Sequence, residues 1–172
     1  VDVWQASGHS VRDVVRAILV SDEFYSIRAY RSLVRSPVDF AVGAVRALEL
    51  ETNWRGIERA AATMDQTLFD PPNVAGWPGG ETWLSSSTFF GRLNFLDTVL
   101  FPAGRAAPIP ALQGASSLEV LVDEALKRLV DDNISPESRE SLYAHARTVT
   151  NLQERAAAIA YLVLASPEYQ LI

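Results

Sequence analysis

One stretch limits what this chain can become. Phe69–Leu84, FDPPNVAGWPGGETWL, holds three of the nine prolines, three of the nine glycines and two of the four tryptophans. Pro71, Pro72 and Pro78 remove backbone donors, fix φ and push the residue before each towards extended geometry. Gly76, Gly79 and Gly80 open backbone shapes that other residues resist. Such a segment is no helix and a poor strand. Val74, Trp77, Trp83 and Leu84 give it apolar groups to pin down, so an ordered loop is expected, with helical sequence on both sides.

The flanking sequence reads as a series of capped helices. His9-Ser10 opens the first, with Asp13 as reciprocal capping partner and Val11, Val14, Val15, Ile18 and Leu19 at helical spacing. It is expected to stop near Val20. Ser21-Asp22-Glu23 then reads as a fresh start for a second helix carrying Phe24, Ile27, Leu33 and Val34. Ser36-Pro37-Val38-Asp39 is the clearest start in the chain, with Val38, Ala41, Val42, Val45 and Leu48 as the buried stripe. A helix over roughly 54–68 buries Ile57, Ala60, Ala61, Met64 and Leu68. Beyond the loop, Ser85–Ser87 cap a helix to Leu100 whose face is Phe89, Phe90, Leu93, Leu96 and Leu100. Three more helices follow. The first carries Leu118, Leu121, Val122, Ala125, Leu126 and Leu129. The second starts at Ser135-Pro136 with Leu142, Tyr143, Ala146 and Val149 inward. The third is capped by Asn151, with Ala156, Ile159, Ala160, Val163 and Leu164 inward. The fold class is therefore all-α, a multi-helix bundle of about seven or eight helices with one ordered Pro/Gly/Trp-rich loop.

At 172 residues the chain can bury a real core. Residues 101–116, with Pro102, Gly104, Pro108, Pro110 and Gly114, read as a linker between a helical domain at 1–100 that carries the loop and a C-terminal helical segment at 117–172 packed on it. A net charge of −6 disfavours nucleic acid, because phosphate binding needs a basic surface. The absence of cysteine removes disulfides, thiolate chemistry and the common structural zinc sites. No apolar run is long enough to span a bilayer. Val1 is not an initiator Met, and the chain is expected to be an excised or processed piece of a longer protein. Leu19–Phe24, LVSDEF, echoes Leu164–Tyr169, LASPEY: one helix-ending corner used twice.

The run from Val11 to Asn94 resembles the C-terminal half of the bacterial domain of unknown function 1800 family. The matching pieces are ILVSDEFYS at 18–26, SPVDF…RAL at 36–48, the block from Gln66 through PPNVAGWPGG to Trp83-Leu84, and Arg92 beyond it. The family pattern places Gly immediately before the Gln, where this chain has Asp65. The resemblance implies a mostly helical protein, exported from a bacterial cell into the periplasm, onto the surface or outside, and encoded beside a second exported protein of the sulfatase-like type. It also implies a longer N-terminal portion, which with the co-encoded protein is an expected partner. It supplies no activity and no catalytic residues.

The residues themselves offer one candidate site. Trp77 and Trp83 can present flat faces to a sugar ring or a partner peptide, with Asp70, Asn73, Glu81 and Gln66 supplying hydrogen bonds. Against this, large aromatics in rigid loops are more often anchors, and Asn73 suits its own turn. Asp65, Asp70 and Glu81 are near enough in sequence for a carboxylate pair of glycosidic type, although helix-end acids have capping roles. His9 and His145 have no partner at metal-ligand spacing, so neither a metal nor a cofactor is expected. Arg28, Arg31, Arg35 and Arg46 are read as pairing with Asp22, Glu23, Asp39 and Glu49 rather than as a glycan-binding cluster. The expected role is a non-enzymatic scaffolding or binding module. The alternative is a polysaccharide-binding or polysaccharide-processing protein with its site at the Trp loop. In a third reading, this piece completes an active site whose catalytic groups lie upstream.

Overall fold

The computed structural model describes residues 1–172. The chain is an all-α bundle, as its capping and periodicity predict, with eight α-helices and no strand. The only β pairing is an isolated antiparallel bridge between Val34 and Leu171. No helix is long and apolar enough to cross a membrane. The chain divides into two compact units, Val1–Ser32 with Ile172, and Leu33–Leu171.

The first unit holds α1 (Asp2–Ala6) and α2 (Val11–Leu19). Ser10 caps α2 as expected, its hydroxyl accepting the Asp13 N–H at 3.4 Å. The reciprocal bond comes from elsewhere: the Ser10 N–H is donated to Ser7 Oγ at 3.2 Å, not to Asp13. The helix expected from Ser21 onward does not form. Residues 21–31 are a string of turns, closed by i→i+3 bonds such as Phe24 N–H to Ser21 O (3.1 Å) and Ala29 N–H to Ser26 O (3.0 Å). Arg31 sits at φ 48°, which no α-helix continues through. The reason is packing. Short helices are held mainly by burying an apolar face, and Ile27 and Tyr25 are 85% and 74% exposed. Glu23 holds Arg28 at 2.8 Å, one of the expected local ion pairs.

The second unit contains α3 (Pro37–Ala47), α4 (Trp54–Thr63), α5 (Ser86–Leu100), α6 (Leu118–Val130), α7 (Pro136–Thr148) and α8 (Leu152–Ala165). Every start is capped by a side-chain oxygen: Ser36, Asn53, Ser85, Ser117, Ser135 and Asn151 each accept a first-turn N–H. Each such cap is worth about 1 kcal/mol. The core runs through all six helices, with α3 against α4, α5 against α8, and α6 against both α7 and α8. The stripes of α6, α7 and α8 lie where their periodicity puts them. The stretch 101–116 forms two 3₁₀ turns, sends Ile109 and Leu112 into this core, and is tied back by Ala107 N–H to Leu100 O at 2.8 Å.

Two faces are rotated from expectation. On α3 the buried set is Pro37, Phe40, Ala41, Ala44 and Val45, followed by Leu48 at the C-cap, with Val38 and Val42 only half-buried. On α5 the centre of the inner face is Arg92, fully buried, flanked by Thr88, Phe95 and Leu96. Phe90, expected inside, is 63% exposed. Both rotations serve one contact, Arg92 against Phe40, described below.

Helix α4 ends five residues before its expected limit. Asp65 N–H bonds Ala62 O (3.1 Å) and Gln66 N–H bonds Ala61 O (2.9 Å). This is a Schellman ending whose C′ residue must be left-handed. Asp65 occupies it at φ 69°. Leu68, beyond the stop, is therefore outside the helix and exposed. Glycine adopts this conformation without the Cβ penalty, so Asp65→Gly is expected to raise stability by about 0.5–1 kcal/mol after the added freedom of its unfolded chain is counted. Urea denaturation beside Asp65→Ala checks it: alanine keeps the strain and gives no gain.

Candidate functional site

The Trp loop begins at this left-handed turn and is pinned at both ends. Gln66 turns back, and its Oε1 accepts the Val38 N–H at 3.0 Å, one of the unsatisfied donors at the start of α3. Asn73 makes an Asx turn, Oδ1 accepting from Ala75 N–H at 2.8 Å. Thr82 donates its hydroxyl to Gly79 O at 2.6 Å, and Gly80–Leu84 close the loop as a 3₁₀ turn. Ser85 then caps α5, while the Thr88 hydroxyl donates to Trp83 O at 3.0 Å. The loop is held by side-chain hydrogen bonds to the backbone, with its apolar groups only partly inserted. Val74, expected to be pinned down, is fully exposed, as is Phe69 at φ 62°. Trp77, Trp83 and Leu84 are half-buried.

Beneath the loop lies Arg92, fully buried with no carboxylate partner. One of its terminal nitrogens, Nη2, donates to Arg35 O (2.7 Å) and Trp83 O (3.3 Å), and the other, Nη1, to Gln170 Oε1 (3.0 Å). The guanidinium carbon stands 4.8 Å from the Phe40 ring centre. Phe40 meets Tyr169 edge-on at 5.5 Å, and Arg35 lies over the Tyr169 ring at 4.6 Å. The result is a cation–ring–ring–cation chain of contacts. Burial pulls the Arg92 guanidinium down to about 10, opposed by Tyr169 and assisted by Arg35, so it is still a cation at neutral pH. Burial likewise pushes the Tyr169 phenol up to about 12, with Arg35 and Arg92 opposing. Arg92 therefore joins the segment before α3, the loop, α5 and the C-terminal 3₁₀ turn through neutral oxygens.

On the outer side the loop encloses a shallow pocket of about 400 Å³, lined by Asp65, Asp70, Trp77, Thr82 and Trp83 among others. Three of the expected residues, Asp70, Trp77 and Trp83, thus come together with three more polar groups, Asp65, Thr67 and Thr82. Glu81 is exposed and outside the pocket, and Asn73 and Gln66 are engaged by the backbone. Of the three acids read as neighbours, Asp65 and Asp70 share the pocket and Glu81 does not. The arrangement offers two indole rings, two carboxylate acceptors and two hydroxyls, groups suited to apolar contact plus hydrogen bonding. No cluster of three or more His, Asp or Glu side chains is placed to hold a metal ion. Sequence reasoning missed Thr67 and Thr82, and the only signal for Thr82 is its place three residues after Gly79.

A family model described as Protein of unknown function (DUF1800) matches residues 1–171. No curated protein and no solved structure matches the chain.

Two substitutions test the hub. An ammonium cannot fork to Gln170, Arg35 and Trp83 together, so Arg92→Lys is expected to cost roughly 3 kcal/mol, in the range for breaking a buried charged network. It is also expected to make Trp83 fluorescence more quenchable by acrylamide as the loop detaches. Tyr169 carries an alkaline dependence. Its folded value lies above the unfolded one, so the native state binds the extra proton between pH about 10 and about 12, and this contribution falls as pH rises through that window. Tyr169→Phe is expected to lose less stability than wild type between pH 8 and 11, read from paired urea midpoints.

Proposed function

The chain belongs to the DUF1800 family, and from that premise we propose that it works by binding rather than by making or breaking bonds, with a carbohydrate held at the Trp loop. The observation that carries the proposal is the shallow pocket in which half-exposed Trp77 and Trp83 stand beside Asp65, Asp70 and Thr82. Sugar rings have apolar faces that stack on indoles and hydroxyls that donate to carboxylates, so each feature of the pocket has a counterpart in that ligand. Rigidity adds to it, because a loop held by Gln66, Asn73 and Arg92 has little ordering left to lose when it binds. Trp77 is the contact residue. Trp83 is the anchor, its carbonyl bound by Arg92 and Thr88. An exported setting, where envelope glycans are at hand, belongs to the same proposal.

A scaffolding role has its own support in the first unit. Val11, Val15, Ile18 and Leu19 of α2 are exposed at helical spacing, a stripe of the kind that marks a protein contact. Upstream sequence or a co-encoded exported protein are its proposed occupants. Co-purification of such a candidate with wild type but not with Ile18→Glu supports the role, and equal recovery with both removes it.

The glycan proposal is tested by titrating tryptophan fluorescence with short neutral and N-acetylated oligosaccharides. A saturable shift is expected, weakened at least about tenfold by Trp77→Ala and severalfold by Asp70→Ala, with circular dichroism unchanged. A folded wild type whose signal no sugar moves would sink the proposal.

A further inference from the structure

A second and larger cavity lies in the same unit, between α4 and α5, with a volume of about 1000 Å³. Its cause is visible in the helix faces. Gly56, Ala60 and Thr63 recur at helical spacing on α4, opposite Ser87, Gly91 and Thr98 on α5. Small and polar residues there leave space that Leu or Phe would fill. The helices touch at one end, where a Cβ on Gly91 would lie 3.1 Å from Met64 Cγ and 3.3 Å from Thr63 O. The cavity extends towards the start of α4 and the end of α5, where Pro102, Pro108 and Pro110 also line it. Ile57 and Phe95 make a buried apolar floor, and exposed Phe90 stands at the rim. The chain leaves the space open, since a Cβ added at Gly56 would meet nothing within 4 Å.

The charges along the cleft are few and separated. Arg59 lines it six residues beyond the Asn53 cap, roughly 9 Å along the helix. Glu51 lies before that cap. Neither forms an ion pair. We propose that this cleft binds an amphiphile with an anionic head, a fatty carboxylate, its head at Arg59 and its tail over Ile57 and Phe95 towards the prolines. Glu51 repels the reversed orientation. The volume is at the upper end for small-ligand pockets, whose lining is typically apolar with a few placed polar groups. A wholly polar solute leaves the Ile57–Phe95 floor without a partner, and a neutral hydrocarbon leaves Arg59 without one. The proposal is independent of the Trp loop, because the two cavities share no lining residue.

Fluorescence of cis-parinaric acid, which rises on transfer to an apolar site, tests it on the whole chain, with the methyl ester as the uncharged control. Wild type is expected to bind the acid saturably at one site. Gly56→Leu places a side chain in the open space and is expected to weaken binding at least about tenfold, with a melting temperature equal to or above wild type. Arg59→Ala is expected to weaken the acid about tenfold and the ester little, with Arg59→Lys restoring most of the difference. Should Gly56→Leu melt early, Phe90→Asp at the exposed rim gives the same readout. No saturable signal, wild-type binding by the folded blocking variant, or equal loss for acid and ester in Arg59→Ala would each overturn the assignment.

Discussion

The structure of the larger unit depends on a buried positive charge that has no negative partner. Removing a guanidinium from water is costly, and a neutralising carboxylate is the common remedy. Here Arg92 is compensated by the dipoles of two backbone carbonyls, one side-chain amide and the face of Phe40. Such compensation is directional. A carboxylate would attract the cation from many angles, whereas three separate oxygens and one ring fix both its position and its plane. The charge therefore specifies how four segments meet, and the rotated faces of α3 and α5 follow from that requirement. Phe40 and Arg92 take inward positions that valine and phenylalanine would otherwise claim.

The helix starts were legible because their signal is local. Ser10, Ser36, Ser135 and Asn151 each accept a first-turn N–H as the sequence leads one to expect, and an oxygen at the right offset does this whatever surrounds it. The stripes of α6 to α8 were legible for a related reason: every buried position on them is apolar, so no polar residue competes for the inner face. What failed depends on neighbours. Residues 21–31 have the composition of a helix but only exposed apolar groups to gain by forming one. On α5, apolar counts alone favour Phe90, and nothing local says that an arginine will displace it. The echo of LVSDEF in LASPEY shows the same divide. Both end a helix and turn on a serine, yet Tyr169 is buried against Phe40 while Phe24 stays exposed.

The candidate site was legible in outline. The aromatic loop could be located from prolines and glycines alone, and three of its residues do converge. The division between anchors and free groups was hidden, because it is set by residues outside the loop: Val38 engages Gln66, and Arg92 engages the carbonyl of Trp83. The α4–α5 cleft was hidden for the opposite reason. It is made by what is missing from two helix faces, and a pattern that counts apolar residues passes over glycine and threonine.

The two ends of the larger unit are paired neighbours: Val34 bridges Leu171, and the Arg35 N–H donates to Gln170 O at 2.8 Å. A body closed in this way behaves as a cassette. It can be carried on a surface loop of a host protein without stretching either junction, and the old ends can be joined and new ones opened elsewhere. An insertion of this kind moves the aromatic loop and the helical cleft together, as one heritable part.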